Sequence, residues 1–135
     1  MSGPIIIVVP GEAVPFARAG GNGRQRFTPA KQRNAMAVIK QIAADAMGEQ
    51  SPLAGPVRMI LRATYVPPQS WSKKRIADSL WKATKPDVDN ILKLAKDSLN
   101  GIVYHDDAQV ADLMAQKRYG VTASLTITVE PLEAR

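Results

Sequence analysis

The chain contains no cysteine. That excludes a disulfide framework, thiol catalysis and thiolate zinc sites, and it suits a reducing compartment. It has a single histidine, His105, so one chain cannot build a site that needs two imidazoles. Long hydrophobic runs are missing as well. The β-branched stretch at residues 5–9 is too short to cross a membrane, and no basic segment precedes it as in a signal peptide. The expectation is a cytoplasmic protein with no membrane association. Acidic residues are absent from residues 13–44, a segment that holds Arg18, Arg24, Arg26, Lys31, Arg33 and Lys40.

What is present fits one globular domain spanning residues 1–135. Apolar residues make up 45% and charged residues 22%, enough for a real core. The net charge is +6, from 18 basic and 12 acidic residues. Six of those 12 acids crowd into residues 85–112: Asp87, Asp89, Asp97, Asp106, Asp107 and Asp112. A basic chain with one concentrated acidic region suggests a polyanionic partner and a local cation site. A solvated basic face with scattered acids is the plainer alternative.

Residues 5–9 read as a buried strand, ended by Pro10-Gly11. Residues 12–27 carry glycines, prolines and arginines and read as a loop. Thr28-Pro29 is a helix start, a hydroxyl cap followed by proline. Met36, Ile39, Ala43 and Met47 then recur at helical spacing, and Gly48 closes the helix. Residues 57–66 alternate as a strand with one dry face, and Pro67-Pro68 stops it. Residues 70–82 are polar and basic, with two tryptophans and room for a short helix. Of these, Trp81 reads as cover for the core, while Trp71 could cover the core or stack on an unpaired base. Lys85-Pro86 predicts an extended segment. A helix follows over residues 87–100, with Val88, Ile91, Leu92, Ala95 and Leu99 as its apolar stripe and Gly101 as its end. Two strands come last, with Gly120 at the turn between them. The order β-α-β-α-β-β implies an α/β (α+β) fold, a small mixed sheet packed on two main helices.

The segment Lys85-Pro-Asp-Val-Asp-Asn90 is the most informative. Two residues apart in a helix, side chains diverge by roughly 200°. Asp87 and Asp89 can therefore converge only where the chain is just entering the helix, which Pro86 enforces. The alternative is that Asp87 is an ordinary N-cap and Asp89 a first-turn acid. Asp106-Asp107 follows the same helix and begins the next strand. That helix spans roughly 20 Å, so the return loop must cover the same distance if Asp107 is to reach Asp89. Neighbours in a strand face opposite ways, so only one acid of this pair can point into a shared site. Clustered carboxylates repel one another unless a cation joins them. An oxygen-only donor set selects a hard cation, Mg²⁺ or Mn²⁺. Lys93 lies four residues after Asp89 on the same helix face, either as a phosphate contact or as a surface ion pair.

These residues resemble the RusA family of Holliday junction resolvases. Similar to that family's signature are Lys85-Pro-Asp-Val-Asp-Asn-Ile-Leu-Lys93, then Asp97-Ser-Leu-Asn-Gly101, then Asp106-Asp-Ala-Gln-Val110. Pro15 to Arg26 followed by Phe27-Thr-Pro29 resembles its basic N-terminal loop and helix start, and Ser70-Trp-Ser-Lys-Lys-Arg75 its basic central segment. The resemblance implies a RusA-like fold and a bacterial or prophage-encoded homodimer that nicks four-way DNA junctions symmetrically with Mg²⁺ or Mn²⁺. It implies Asp87, Asp89 and Asp107 as catalytic, metal-holding acids and Lys93 as the essential lysine. Where some members carry a run of arginines before the first aspartate, this chain has Ala83-Thr84-Lys85-Pro86.

Phosphate contacts are expected from Arg18, Arg24 and Arg26 in the first loop and from Lys73, Lys74, Arg75, Lys82 and Lys85 in the second basic run, since lysine and arginine neutralise phosphates and release counterions. The rival reading is a basic DNA-binding module without catalysis, whose acids are structural. A phosphatase that uses an Asp-x-Asp nucleophile is disfavoured because residues 82–86 are not a hydrophobic strand. An EF-hand fails because apolar residues follow Asn90.

Overall fold

The computed structural model describes residues 3–17 and 30–133. The expected helix start at Thr28-Pro29 lies outside the described residues. The described elements are strand β1 (Ile5–Pro10), helix α1 (Ala30–Met47), strand β2 (Val57–Tyr65), helix α2 (Lys73–Asp78), helix α3 (Val88–Leu99), a 3-10 turn (Asp107–Gln109), and strands β3 (Val110–Tyr119) and β4 (Ser124–Pro131). With α2 as a short addition, this is the expected order of strands and main helices.

The four described strands form one mixed sheet in the order β1-β4-β2-β3. β4 pairs antiparallel with both β1 and β2, while β2 and β3 run parallel. β3 and β4 follow one another in sequence but do not pair, because β2 lies between them. The turn at Gly120 is therefore not a hairpin. Gly120 donates its N–H to the Tyr65 carbonyl at 2.9 Å. A Cβ on Gly120 would stand 2.6 Å from the Thr64 methyl, which explains the glycine.

Alternation along the strands puts one face of the sheet under the helices. Ile5 and Ile7, Met59, Leu61 and Ala63, and Leu125, Ile127 and Val129 are buried there. α1 contributes Ile39, Ala43 and Met47, and α3 contributes Ile91, Leu94, Ala95 and Leu99. α1 packs on β1, α3 packs on β3, and the two helices pack on each other. Both helices end at glycines with positive φ, Gly48 at +57° and Gly101 at +78°, where a residue with a Cβ would be strained.

No described helix covers the opposite face. This changes the reading of β1, which is a half-buried edge strand and not a fully buried one. Ile6 is 59% and Val8 53% exposed. In register, Ile6, Thr128, Ile60 and Met114 form one row across this open face. Beside that row Arg58 joins two strands, with ion pairs to Asp112 at 2.7 Å and Glu130 at 3.1 Å.

Candidate active site

The acidic residues gather around α3. Asp87 is its N-cap, with extended backbone angles, and Val88 begins the helix. The backbone N–H groups of Asn90 and Ile91 donate to the Asp87 carbonyl, as in any helix start. Its carboxylate, however, makes no capping hydrogen bond. An N-cap aspartate normally accepts from the second or third helical N–H, and that bond is worth about 1 kcal/mol. Asp87 forgoes it and remains exposed. Asp89 is also exposed, and its Oδ1 accepts from the Asn90 N–H at 3.1 Å.

The segment before Asp87 is a bend with a cis Lys85–Pro86 peptide, in place of the extended stretch expected. Two anchors hold this bend. Lys117 of β3 donates its ammonium to the carbonyls of Thr84 at 2.6 Å and Pro86 at 2.7 Å. On the other side, the Phe16 N–H donates to the Asn90 carbonyl at 2.9 Å, tying the segment after β1 to the start of α3. No local pattern marks Lys117 for this task, because its partners are backbone carbonyls more than thirty residues away in sequence.

The return loop starts back along the last turn of α3. Gly101 N–H donates to the Tyr104 carbonyl at 2.8 Å, and Ile102 and Val103 both donate to the Leu99 carbonyl at 3.1 Å. Val103 and Tyr104 are fully buried. The Tyr104 hydroxyl donates to the Lys96 carbonyl at 2.8 Å. The chain then surfaces at His105 and Asp106, and Asp107 stands half-buried at the head of the 3-10 turn.

Asp89, Asp107, Lys93, Lys96 and Asp97 line one cleft of about 290 Å³, floored by Leu92. Two acids from the two ends of the α3 region thus share a site. Asp106 does not line this cleft and is exposed. Asp87 opens onto an adjoining cleft of about 690 Å³, with Lys31, Lys85, Asn90, Tyr65 and Phe16 among its walls. Lys93 lies between an acid and a ring: its Nζ is 3.4 Å from Asp97 and 4.8 Å from the centre of the Phe16 ring. Lys96 was not singled out from sequence, although it stands seven residues after Asp89 on the same helical face. Burial, reinforced by the negative charges of Asp107, Asp97 and Asp106, pushes the Tyr104 hydroxyl well above the usual tyrosine range.

The donor set of the smaller cleft is all carboxylate oxygen, the chemistry of a hard cation. Among the described residues, no three His, Cys, Asp or Glu side chains stand close enough together to form a complete metal cage. Mg²⁺ does not need one. It commonly takes one or two carboxylates and fills its remaining positions with water and substrate phosphate. Asp89 and Asp107 fit that requirement, whereas Asp87, two residues before Asp89, lines the other cleft.

The expected DNA contacts divide. Arg18, Arg24 and Arg26 lie outside the described residues. Lys73, Lys74 and Arg75 are exposed on α2, whose N-cap Ser72 accepts from the Arg75 N–H at 3.1 Å. Lys74 pairs with Asp78 at 3.3 Å, and the Arg75 guanidinium stacks 3.9 Å above Trp71. Lys82 donates to Thr84 Oγ1 at 2.8 Å and lies near the rings of Tyr65 and Tyr119. Lys85 is exposed beside Asp87. The two tryptophans differ. Trp71 is half-buried and packs edge-on against Tyr119, whereas Trp81, expected to cover the core, is 58% exposed with Arg118 over its ring at 5.7 Å. Trp81 is carried outward at its bridge to Arg118 on the edge of β3, beside the face that no described helix covers.

An acidic cleft along α3, with Lys93 and Lys96 in its walls, sets carboxylates for a cation beside ammonium groups that suit a phosphate polyanion. Compared with known families, residues 9–130 match endodeoxyribonuclease RusA, and the chain belongs to that family. The uncharacterized protein YqaN of Bacillus subtilis (strain 168) is 34% identical over 143 residues, taking in 96% of this chain and 98% of YqaN. No described helix is long and apolar enough to cross a membrane.

Proposed function

We propose that this chain is a metal-dependent, structure-specific endodeoxyribonuclease that resolves Holliday junctions by paired nicking, in recombination and repair in the cytoplasm. The observation that carries this reading is the shared cleft of Asp89 and Asp107, with Lys93 on its wall, in a member of the RusA family. Asp87, Asp89 and Asp107 are the acids that would hold the cation. Bound Mg²⁺, or Mn²⁺ in its place, would lower the barrier to water attack on the phosphodiester and neutralise charge on the leaving oxygen. Lys93, steadied by Asp97 and Phe16, would meet a phosphate oxygen at the cleft. Lys73, Lys74, Arg75, Lys82 and Lys85, with Arg18, Arg24 and Arg26, neutralise the flanking phosphates.

A homodimer completes the proposal. A four-way junction has two equivalent strands to cut, and the described residues of one chain offer one such acidic cleft, so a two-fold pair supplies the second. The open face of the sheet, with Ile6, Val8, Ile60 and Met114, is apolar surface that such a pair would cover. The rival reading, a DNA-binding module with structural acids, draws on the lack of a three-carboxylate cage among the described residues.

The deciding experiment is incubation with a synthetic four-way junction and a matched duplex, with and without Mg²⁺. Metal-dependent paired nicks in the junction alone support the nuclease. Binding without cleavage supports the module. Asp107→Asn should abolish nicking while junction binding persists, and Asp106→Asn should still cut. The reverse pattern would show that the wrong acid has been assigned.

A further inference from the structure

We propose that Gln109 is the positioning residue of the acidic cleft, its side-chain amide fixing where Asp107 stands. Asp107 has no hydrogen bond of its own from its carboxylate among the described residues, so its place is inherited from its backbone. Around it the chain has little apolar anchoring: His105, Asp106 and Ala108 are exposed, and the next buried residue upstream is Tyr104. What holds the turn is polar. Gln109 Oε1 accepts from the His105 N–H at 2.8 Å and from the Asp106 N–H at 3.0 Å. Its Nε2 donates to the Leu53 and Gly55 carbonyls, both at 2.8 Å. An amide side chain has two N–H donors and two acceptor sites, and here all are used.

The two sets of partners belong to different parts of the chain. His105 and Asp106 immediately precede Asp107. Leu53 and Gly55 belong to the connection between α1 and β2, which is itself fastened by the Leu53 N–H donating to the Val103 carbonyl at 2.7 Å. Gln109 also closes the 3-10 turn through its own backbone N–H, which donates to the Asp106 carbonyl at 3.0 Å. One side chain thus bolts the acidic turn to the loop between α1 and β2, whose Leu53 is buried. Without it, Asp107 would sit on a surface turn held only at its two ends, and the separation of Asp107 from Asp89 would no longer be set. This inference rests on the reading that Asp107 acts in the cleft.

The test compares Gln109→Leu, which removes all four bonds at nearly constant volume, with Gln109→Glu, which keeps the two acceptor bonds and loses the two donor bonds. Mn²⁺ affinity is measured on the protein alone by electron paramagnetic resonance titration of free Mn²⁺. Junction affinity without metal and the thermal midpoint are measured in parallel. Groups that orient a metal ligand typically change affinity by about 10–100-fold. Gln109→Leu should therefore weaken Mn²⁺ by about tenfold or more, with metal-free junction affinity unchanged, and Gln109→Glu should fall between it and the wild type. Should the leucine variant fail to fold, the glutamate variant carries the test. Wild-type Mn²⁺ affinity in the folded variants overturns the proposal, as does a loss of metal-free junction affinity in proportion to the loss of Mn²⁺. Asp107→Asn is the control that separates the two readings. If it binds Mn²⁺ and nicks like the wild type, the role of Asp107 is wrong. If it fails while Gln109→Leu is normal, only the role of Gln109 is wrong.

Discussion

Tyr104→Phe isolates one hydrogen bond at constant shape. The Tyr104 ring is fully buried, and its hydroxyl donates to the Lys96 carbonyl at 2.8 Å. Lys96 is three residues from the end of α3, where a carbonyl would ordinarily accept from the N–H four residues on. That N–H, of Asn100, donates to the Asp97 carbonyl instead, at 3.4 Å. The tyrosine hydroxyl therefore takes the place of a helical partner. Removing it leaves a carbonyl without a partner in a place where phenylalanine keeps water out, at a cost of about 1–3 kcal/mol. For a domain of this size that corresponds to a fall in melting temperature of roughly 3–12 °C. The assay is thermal unfolding followed by circular dichroism at neutral pH. A second measurement uses the raised pKa of this hydroxyl. Native Tyr104 keeps its proton where the unfolded chain, with a pKa of about 10, has lost it. Its contribution is thus complete below about pH 10 and declines as pH rises further. The gap in urea midpoint between wild type and Tyr104→Phe should accordingly narrow from about pH 8 to about pH 10.5. A melting temperature unchanged to within about 1 °C would refute the reasoning.

Other expectations follow from the same geometry. Gly120→Ala should destabilise the fold by about 1–3 kcal/mol, since the new methyl meets Thr64, and Thr64→Ser in the same chain should recover part of the loss in urea titration. Tyr65, raised to about 12 chiefly by burial with a contribution from Glu12, should add to the alkaline loss above pH 10 and stay protonated in a spectrophotometric titration until well past it. Replacing Lys73, Lys74 and Arg75 together by alanine should weaken junction binding and flatten its dependence on salt in gel-shift titrations. An unchanged slope would mean that α2 does not touch the phosphates.

The elements nearest the acids were legible from sequence because their signals are local. The stripe Ile91, Ala95 and Leu99, the proline before Asp87 and the glycine after Asn100 define α3 without reference to the rest of the chain. Asp107, and not Asp106, lines the cleft with Asp89, but strand alternation is not the reason: the pair enters a 3-10 turn, and β3 begins only at Val110. What could not be read is held by long-range partners. Ile6 and Val8 look as buried as Ile5 and Ile7 until β1 is known to be an edge strand with one uncovered face. Lys117 and Gln109 look like ordinary polar residues, and their work appears only when Thr84, Pro86, Leu53 and Gly55 are brought to them by the sheet. Trp81 reads as a core residue by its type, yet its pairing with Arg118 turns it outward.

The strand order also governs the timing of assembly. β1 has β4 as its only described sheet neighbour, and β2 lies between β4 and β3. Neither of the first two strands has a neighbour to pair with until residues beyond 110 have left the ribosome. Pairings so distant in sequence form late and slowly. The turn bearing Asp107 leads straight into β3, so it is drawn up to Asp89 only as the sheet closes. A growing chain therefore exposes basic segments that can touch DNA well before it owns the paired acids of the cleft.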